Sequence, residues 1–144
     1  MLQTWASPKI IDCHVKNNFG HGIYGSHNQG GLEIKNCEIL NNDDTGMHFF
    51  NSSPTIEGCR IHANQSYGVS FYNSPGTIKN CLISENAVGI RFRADLNGWG
   101  FSPNIVNSTI TGNTKPLTFT SGEAPSLTNC IVFGNQERWS PLML

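Results

Sequence analysis

Charge is what this sequence has least of. Lys, Arg, Asp and Glu together make up 13% of the chain, against about a quarter in ordinary globular domains. The formal net charge is −1, so there is no basic surplus to neutralise phosphates. That argues against nucleic acid as a partner. No apolar run approaches about eighteen residues, and membrane-spanning helices are not expected. Residues 1–7, Met1-Leu2-Gln3-Thr4-Trp5-Ala6-Ser7, contain neither a basic n-region nor an apolar h-region and do not read as a signal peptide. Segments of helical period are missing too: nowhere do apolar residues recur at 3.6-residue spacing for the ten to twelve residues a repeat helix needs.

What is present is Asn, Ser, Thr and Gly, a mixture that favours turns and β structure, and a repeat. Cys13, Cys37, Cys59 and Cys81 are separated by 24, 22 and 22 residues, and Cys130 follows after 49, which divides into 27 and 22 at Ser108. Around these six rungs the registers agree. Three positions before each stand Ile10, Ile34, Ile56, Ile78, Ile105 and Leu127. Two positions after stand Val15, Ile39, Ile61, Ile83, Ile110 and Val132. Five positions after, every repeat has Asn: Asn18, Asn42, Asn64, Asn86, Asn113 and Asn135. Turn glycines follow (Gly22, Gly46, Gly68, Gly89), then Ile23, Met47, Val69, Ile90 and Leu117, then a run of Phe49, Phe71, Phe92 and Phe119.

Each repeat holds two or three short strands with period-2 alternation, and a leucine framework is lacking. The expected fold is all-β, a right-handed, single-stranded parallel β-helix of about six coils of 22–27 residues. The coils run approximately 8–31, 32–53, 54–74, 75–102, 103–124 and 125–138, and 139–144 form a C-terminal cap. We expect one domain over 1–144, a segment of a larger protein. Stacked Asn side chains should carry amide-to-amide hydrogen bonds at one bend. Asn36, Asn80, Asn107 and Asn129 suit the left-handed conformation at a second. The cysteines are expected as free thiols acting as small inward hydrophobes.

The repeat P-x-I-x-x-C-x-I-x-x-N-x-x-x-G-I-x-F, as in residues 103–113 and 127–135, resembles that of the pectate-lyase-like superfamily. It is most similar to the right-handed β-helix region of carbohydrate-binding and sugar-hydrolase-type proteins. The resemblance covers residues 8 to 135. It implies an extracellular or cell-surface bacterial protein with a polysaccharide or glycan as partner. Either the protein is cytoplasmic or its signal peptide lies upstream of this chain, and the abrupt start and stop of the repeat array favour the second.

On a solenoid, chemistry sits on outward side chains or loops. If Ile23, Met47, Val69, Ile90 and Leu117 point in, then Tyr24, His48, Ser70, Arg91 and Thr118 form one outward stripe. Ser26, Phe50, Tyr72, Arg93 and Thr120 form a second. Tyr24, His48, Phe50, Tyr72, Arg91 and Arg93 are therefore the carbohydrate-binding candidates: aromatic rings suit the apolar faces of sugars, and Arg suits uronate carboxylates. Trp99 joins them from the one sizeable insertion, residues 94–101, which also brings Asp95. A catalytic reading would draw on Arg91 or Arg93 as base or charge stabiliser and on Asp95 with His48 as acid and base. Lyases of the superfamily use a carboxylate cluster for Ca²⁺, and only Asp95 and the distant Asp43-Asp44 are available. No cofactor or metal is expected, with Ca²⁺ the sole candidate; His21 and His27 alone make a weak metal signal.

The leading expectation is a non-catalytic module with a flat or grooved polysaccharide-binding face. The alternatives are a fragment of a polysaccharide lyase or glycoside hydrolase, and a structural or protein-interaction stack of adhesin or tailspike type. Solenoid ends expose core and strand edges. Trp139 with 140–144, and Leu2 with Trp5, are expected to cap them. Otherwise the ends meet neighbours, in a longer β-helix or a homo-oligomer.

Overall fold

The structure, a computed structural model, describes residues 7–27, 31–95, 103–120 and 124–138. Within them the chain winds as a parallel β-solenoid. The first coil holds β1 (Lys9–Ile11), β2 (His14–Lys16) and β3 (Ile23–Ser26). The second holds β4 (Leu32–Lys35), β5 (Glu38–Leu40) and β6 (Met47–Phe50). The third holds β7 (Pro54–Glu57), β8 (Arg60–His62) and β9 (Tyr67–Tyr72). The fourth holds β10 (Thr77–Lys79), β11 (Leu82–Ser84) and β12 (Val88–Arg93). The fifth holds β13 (Asn104–Val106), β14 (Thr109–Thr111) and β15 (Lys115–Thr120). The sixth contributes β16 (Ser126–Thr128) and β17 (Ile131–Phe133). Five coils thus carry all three strands, and the sixth adds two. The strands stack into two six-stranded sheets, begun by β1 and β2, and a five-stranded sheet begun by β3.

Registers follow the sequence ladders: Ile34↔Ile56, Ile39↔Ile61 and Phe49↔Phe71 are aligned pairs. Inward Ile side chains of coils two to five are fully buried, and the Phe rings stack at 5.7 and 5.6 Å between centroids. All five cysteines are free. Cys37, Cys59 and Cys81 are buried; Cys13 and Cys130, nearer the ends, are half-buried. Burial holds the Cys37 thiol up. Hydrogen bonding with Cys81, reinforced by burial, does the same for Cys59. Backbone N–H groups donate along the column, Cys37 to Cys59 Sγ and Cys59 to Cys81 Sγ, both at 3.4 Å. Ser108 takes the same place, accepting the Cys81 N–H at 3.1 Å.

The Asn ladder runs unbroken. Each Nδ2 donates to the Oδ1 one coil on, from Asn18 to Asn135, at 2.8–3.1 Å. Asn42, Asn64, Asn86 and Asn113 also donate their backbone N–H groups to that same oxygen. Buried amides in coils two to five are satisfied this way. The second bend behaves as expected, with Asn36, Asn80, Asn107 and Asn129 at φ of 48–54°. The bend before the Asn ladder is also left-handed, and there Ala63 (φ 55°) and Glu85 (φ 58°) adopt it without glycine or Asn.

Glycine is required before the third strand. A Cβ on Gly46 would lie 2.7 Å from the Gly68 carbonyl oxygen, and one on Gly68 would lie 2.6 Å from that of Gly89. Pro116 takes this place in the fifth coil, where no described strand lies above β15.

Outside, the first two sheets carry ion pairs. Glu33 lies 3.5 Å from Lys9 and 3.2 Å from Lys35, and Glu57 lies 2.9 Å from Lys79. Glu38 gathers His62 (3.2 Å), Arg60 (3.6 Å) and His14 (4.0 Å). The hydrogen bond with His62 holds its carboxyl below the usual range. Among the described residues no helix is long and apolar enough to cross a membrane. The expected caps, Leu2 with Trp5 and 139–144 with Trp139, lie outside the described residues.

Candidate functional site

The third sheet carries the two outward stripes in the anticipated registers. Tyr24, His48, Ser70, Arg91 and Thr118 are aligned partners in one column. Ser26, Phe50, Tyr72, Arg93 and Thr120 form the next. A third column stands before them at the turn, with Tyr67, Val88 and Lys115 aligned; Thr45, one coil below, is buried. His21 precedes Gly22, which pairs with Thr45.

In-register stacking decides how the rings are presented. One face of Tyr72 meets Phe50, with ring centroids 5.1 Å apart, and Arg93 stands 4.9 Å from its centroid. The ring therefore turns an edge outward, and its hydroxyl is engaged by Asp95. His21, Tyr24 and His48 form a trio of near-parallel rings, with centroids 5.9 Å (His21–Tyr24), 5.0 Å (His21–His48) and 5.5 Å (Tyr24–His48) apart. Tyr24, in the first coil, is the most exposed ring of this cluster. Arg91 lies over Tyr67, 4.9 Å from its centroid. What this face offers a ligand is a set of polar edges and guanidinium groups.

Asp95 follows the fourth-coil strand and is fixed in place. It accepts a hydrogen bond from the Tyr72 hydroxyl at 2.6 Å and one from Asn73 Nδ2 at 2.8 Å. Its own N–H donates to Asn73 Oδ1 at 2.8 Å. The Tyr72 hydroxyl first, then Asn73, hold this carboxyl below the usual range, with Arg93 adding to them. The same hydrogen bond pushes the Tyr72 phenol up. Burial, then the nearby His21 and Arg91, lower the His48 imidazole. Asp95 is therefore ionised and His48 neutral at neutral pH.

These two are not brought together. Asp95 stands two strands up and four residues along from His48, on the order of 15 Å at about 4.8 Å per strand and 3.3 Å per residue. Arg93 and Asp95 share one cluster, with Tyr72. Arg91 and His48 flank Ser70 in another. His21 and His27 lie at opposite ends of β3. His21 Nδ1 is buried 3.3 Å from Asp44 Oδ2, out of line for a hydrogen bond. His27 contacts the Ser26 hydroxyl (2.6 Å) and Asn51 (3.4 Å). Among the described residues no three His, Cys, Asp or Glu side chains converge as metal ligands. Trp99, and the insertion beyond Asp95 as far as 102, lie outside the described residues.

Two participants escaped the sequence reading. Tyr67 precedes its turn glycine, outside the alternating stripes, yet it seats Arg91. Asn73, a bend residue, orients Asp95. The bend Asn at 51 and 73 was a usable signal, because it marks where side chains of successive coils come into reach.

The sequence of residues 2–138 matches the family described as the right-handed β-helix region. The chain belongs to this family. No curated protein matches it in sequence. Among solved structures this β-helix is similar to a double mutant of the periplasmic alginate epimerase AlgG. The TM-score is 0.72 at 18% identity, covering 87% of this chain and 33% of that one. Against AlgG itself the TM-score is 0.66 at 16% identity, covering 87% and 39%. The A-module of the mannuronan C-5 epimerase AlgE4 of Azotobacter vinelandii gives 0.62 at 15%, covering 94% and 56%. This β-helix thus spans between a third and somewhat over half of those structures. At such identities the likeness is one of fold.

Proposed function

We propose that this β-helix is an extracellular or periplasmic polysaccharide-binding module whose third sheet is the binding face, and that it acts without catalysis. The observation that carries this reading is the pair Arg91 and Arg93. Both project from one strand, each is seated on a tyrosine of the coil below, and neither forms an ion pair among the described residues. Five other Lys and Arg side chains on the described surface are paired: Lys9, Lys35, Arg60, Lys79 and Lys115. Two adjacent, oriented guanidinium groups with open donors suit the hydroxyl and acidic groups of a glycan. The polysaccharide-acting names of the similar structures point the same way.

The non-catalytic part rests on the carboxylate. A general acid needs a raised pKa, whereas Asp95 is held ionised with an oxygen engaged by Tyr72 and another by Asn73. Its distance from His48 exceeds the roughly 6.5–9.5 Å at which paired groups serve inverting hydrolysis. A second reading, a portion of a larger lyase, epimerase or hydrolase, draws on the fraction of each similar structure that this chain spans.

The test is binding on a glycan panel, followed by Arg91→Ala and Arg93→Ala. We expect at least one polysaccharide to bind, each variant to weaken it about tenfold or more, and the polymer to be recovered unchanged. Unsaturated, epimerised or shortened products would favour the second reading. Absence of binding to any glycan would leave a structural stack.

A further inference from the structure

The side-chain ladders of this solenoid have a direction. Taking the first coil as the bottom, each Asn donates its Nδ2 to the Oδ1 of the coil above. The cysteine column runs the same way, with N–H groups donating from Cys37 to Cys59, from Cys59 to Cys81 and from Cys81 to Ser108. Ladder donors therefore point up the stack and acceptors point down it. In the sixth coil Asn135 Nδ2 reaches the carbonyls of Ile110 and Phe133, just as Asn113 Nδ2 reaches those of Ile83 and Thr111. Asn113 then has an Oδ1 above it, and Asn135 has none among the described residues. The backbone N–H groups of Asn135 and Cys130 also lack an acceptor there. In the first coil Asn18 Oδ1 receives no donor from the described residues.

The end rungs are those of the interior. Leu127, Cys130 and Val132 at the top match Ile10, Cys13 and Val15 at the bottom, and all six pack against the core yet stay half-buried. β16 and β17 are end strands of their sheets, as β1 and β2 are at the other end. Terminal coils that stand alone carry a polar outer face, with Lys or Pro along the edge. The top edge does not: its outward residues are Ser126, Thr128, Ile131 and Phe133, with Ile131 60% and Phe133 76% exposed. The bottom edge presents Lys9, Ile11, His14 and Lys16.

We propose that this chain associates with itself head to tail, the first coil of one copy seated on the sixth coil of another. In the register that continues the ladders, Leu127, Cys130 and Val132 meet Ile10, Cys13 and Val15 of the second copy. Asn135 donates its Nδ2 and N–H to the second copy's Asn18 Oδ1. Pairing of like ends is disfavoured, because top on top sets donors against donors and bottom on bottom sets acceptors against acceptors. Charge agrees with the choice. The top edge strands are uncharged, so no like charges oppose, and Phe133 shares its column with Lys16, whose stem and ammonium suit a ring. Two different patches meet in this contact, so it does not close and growth continues beyond a dimer. The proposal holds whether or not the third sheet binds a glycan.

The experiment is sedimentation velocity of the full chain over a concentration series at low ionic strength. Wild type, Phe133→Lys and the double variant Phe133→Lys with Lys16→Glu are compared, each checked for an unchanged unfolding midpoint in dilute solution. Both positions are outward and exposed. Wild type is expected to form species larger than a dimer as concentration rises. Phe133→Lys removes the apolar contact, sets an ammonium against Lys16, and should weaken association about tenfold or more. The double variant should recover about threefold of that loss by exchanging repulsion for an ion pair. A monomer at every concentration overturns the proposal and leaves the ends to residues 1–6 and 139–144. A dimer that grows no further indicates pairing of like ends and also overturns it. So does association that Phe133→Lys leaves unchanged, or a loss that Lys16→Glu does not reduce.

Discussion

Ser108 shows what a single rung must supply. The column it joins needs a small side chain that can accept the N–H of the preceding rung. Sulfur does this at 3.4 Å and the serine hydroxyl at 3.1 Å. Ser108→Cys should therefore cost under about 1 kcal/mol, whereas Ser108→Ala, which keeps the side chain small but has no acceptor, leaves the buried Cys81 N–H unpaired and should cost about 1–3 kcal/mol. Urea unfolding of the two variants checks this, and equal losses would contradict it. This substitution was legible in the sequence, because the neighbouring Ile and Asn registers continue through it. The burial of Ser70 was not: its place in the outward stripe could be read, but not that a residue there would be 1% exposed. The left-handed conformations at Ala63 and Glu85 were equally hidden, since neither residue type signals them and the stack imposes them.

At the scale of the element, coil spacing sets the rules. Strands about 4.8 Å apart leave no room for a Cβ under the carbonyl before each third-sheet strand. Gly68→Ala would put its Cβ 2.6 Å from the Gly89 oxygen and 2.8 Å from Asn86 Nδ2. Backbone and ladder amide are both held by neighbours, so relief requires parting two coils. We expect a loss of about 3 kcal/mol or more. Gly20→Ala, with open space around the added carbon, should be near neutral. Thermal unfolding of the pair checks the contrast. The same spacing governs the aromatic stripes. Rings on successive coils stack on each other, which is why Tyr72 presents an edge. Strand registers were predictable from the ladders; the direction a ring faces depends on what stands above and below it.

For the molecule as a whole, the three outer faces differ in kind. On the first two sheets Glu33, Glu57 and Glu38 pair with Lys9, Lys35, Lys79 and Arg60. Such exposed pairs contribute little to stability and are screened by salt. The third sheet concentrates stacked rings, a fixed carboxylate and two guanidinium groups that form no ion pair among the described residues. That asymmetry was partly legible: the stripe residues could be listed from period-2 alternation, while the pairing that empties two faces and leaves the third unsatisfied needed the structure. The most direct test is backbone and side-chain NMR of the labelled chain titrated with a polysaccharide it binds. The account predicts shifts concentrated on β6, β9 and β12, centred on Ser70, Arg91 and Arg93, with the first two sheets silent. Shifts centred on Glu38 or Glu33, or spread evenly over all three faces, would contradict it.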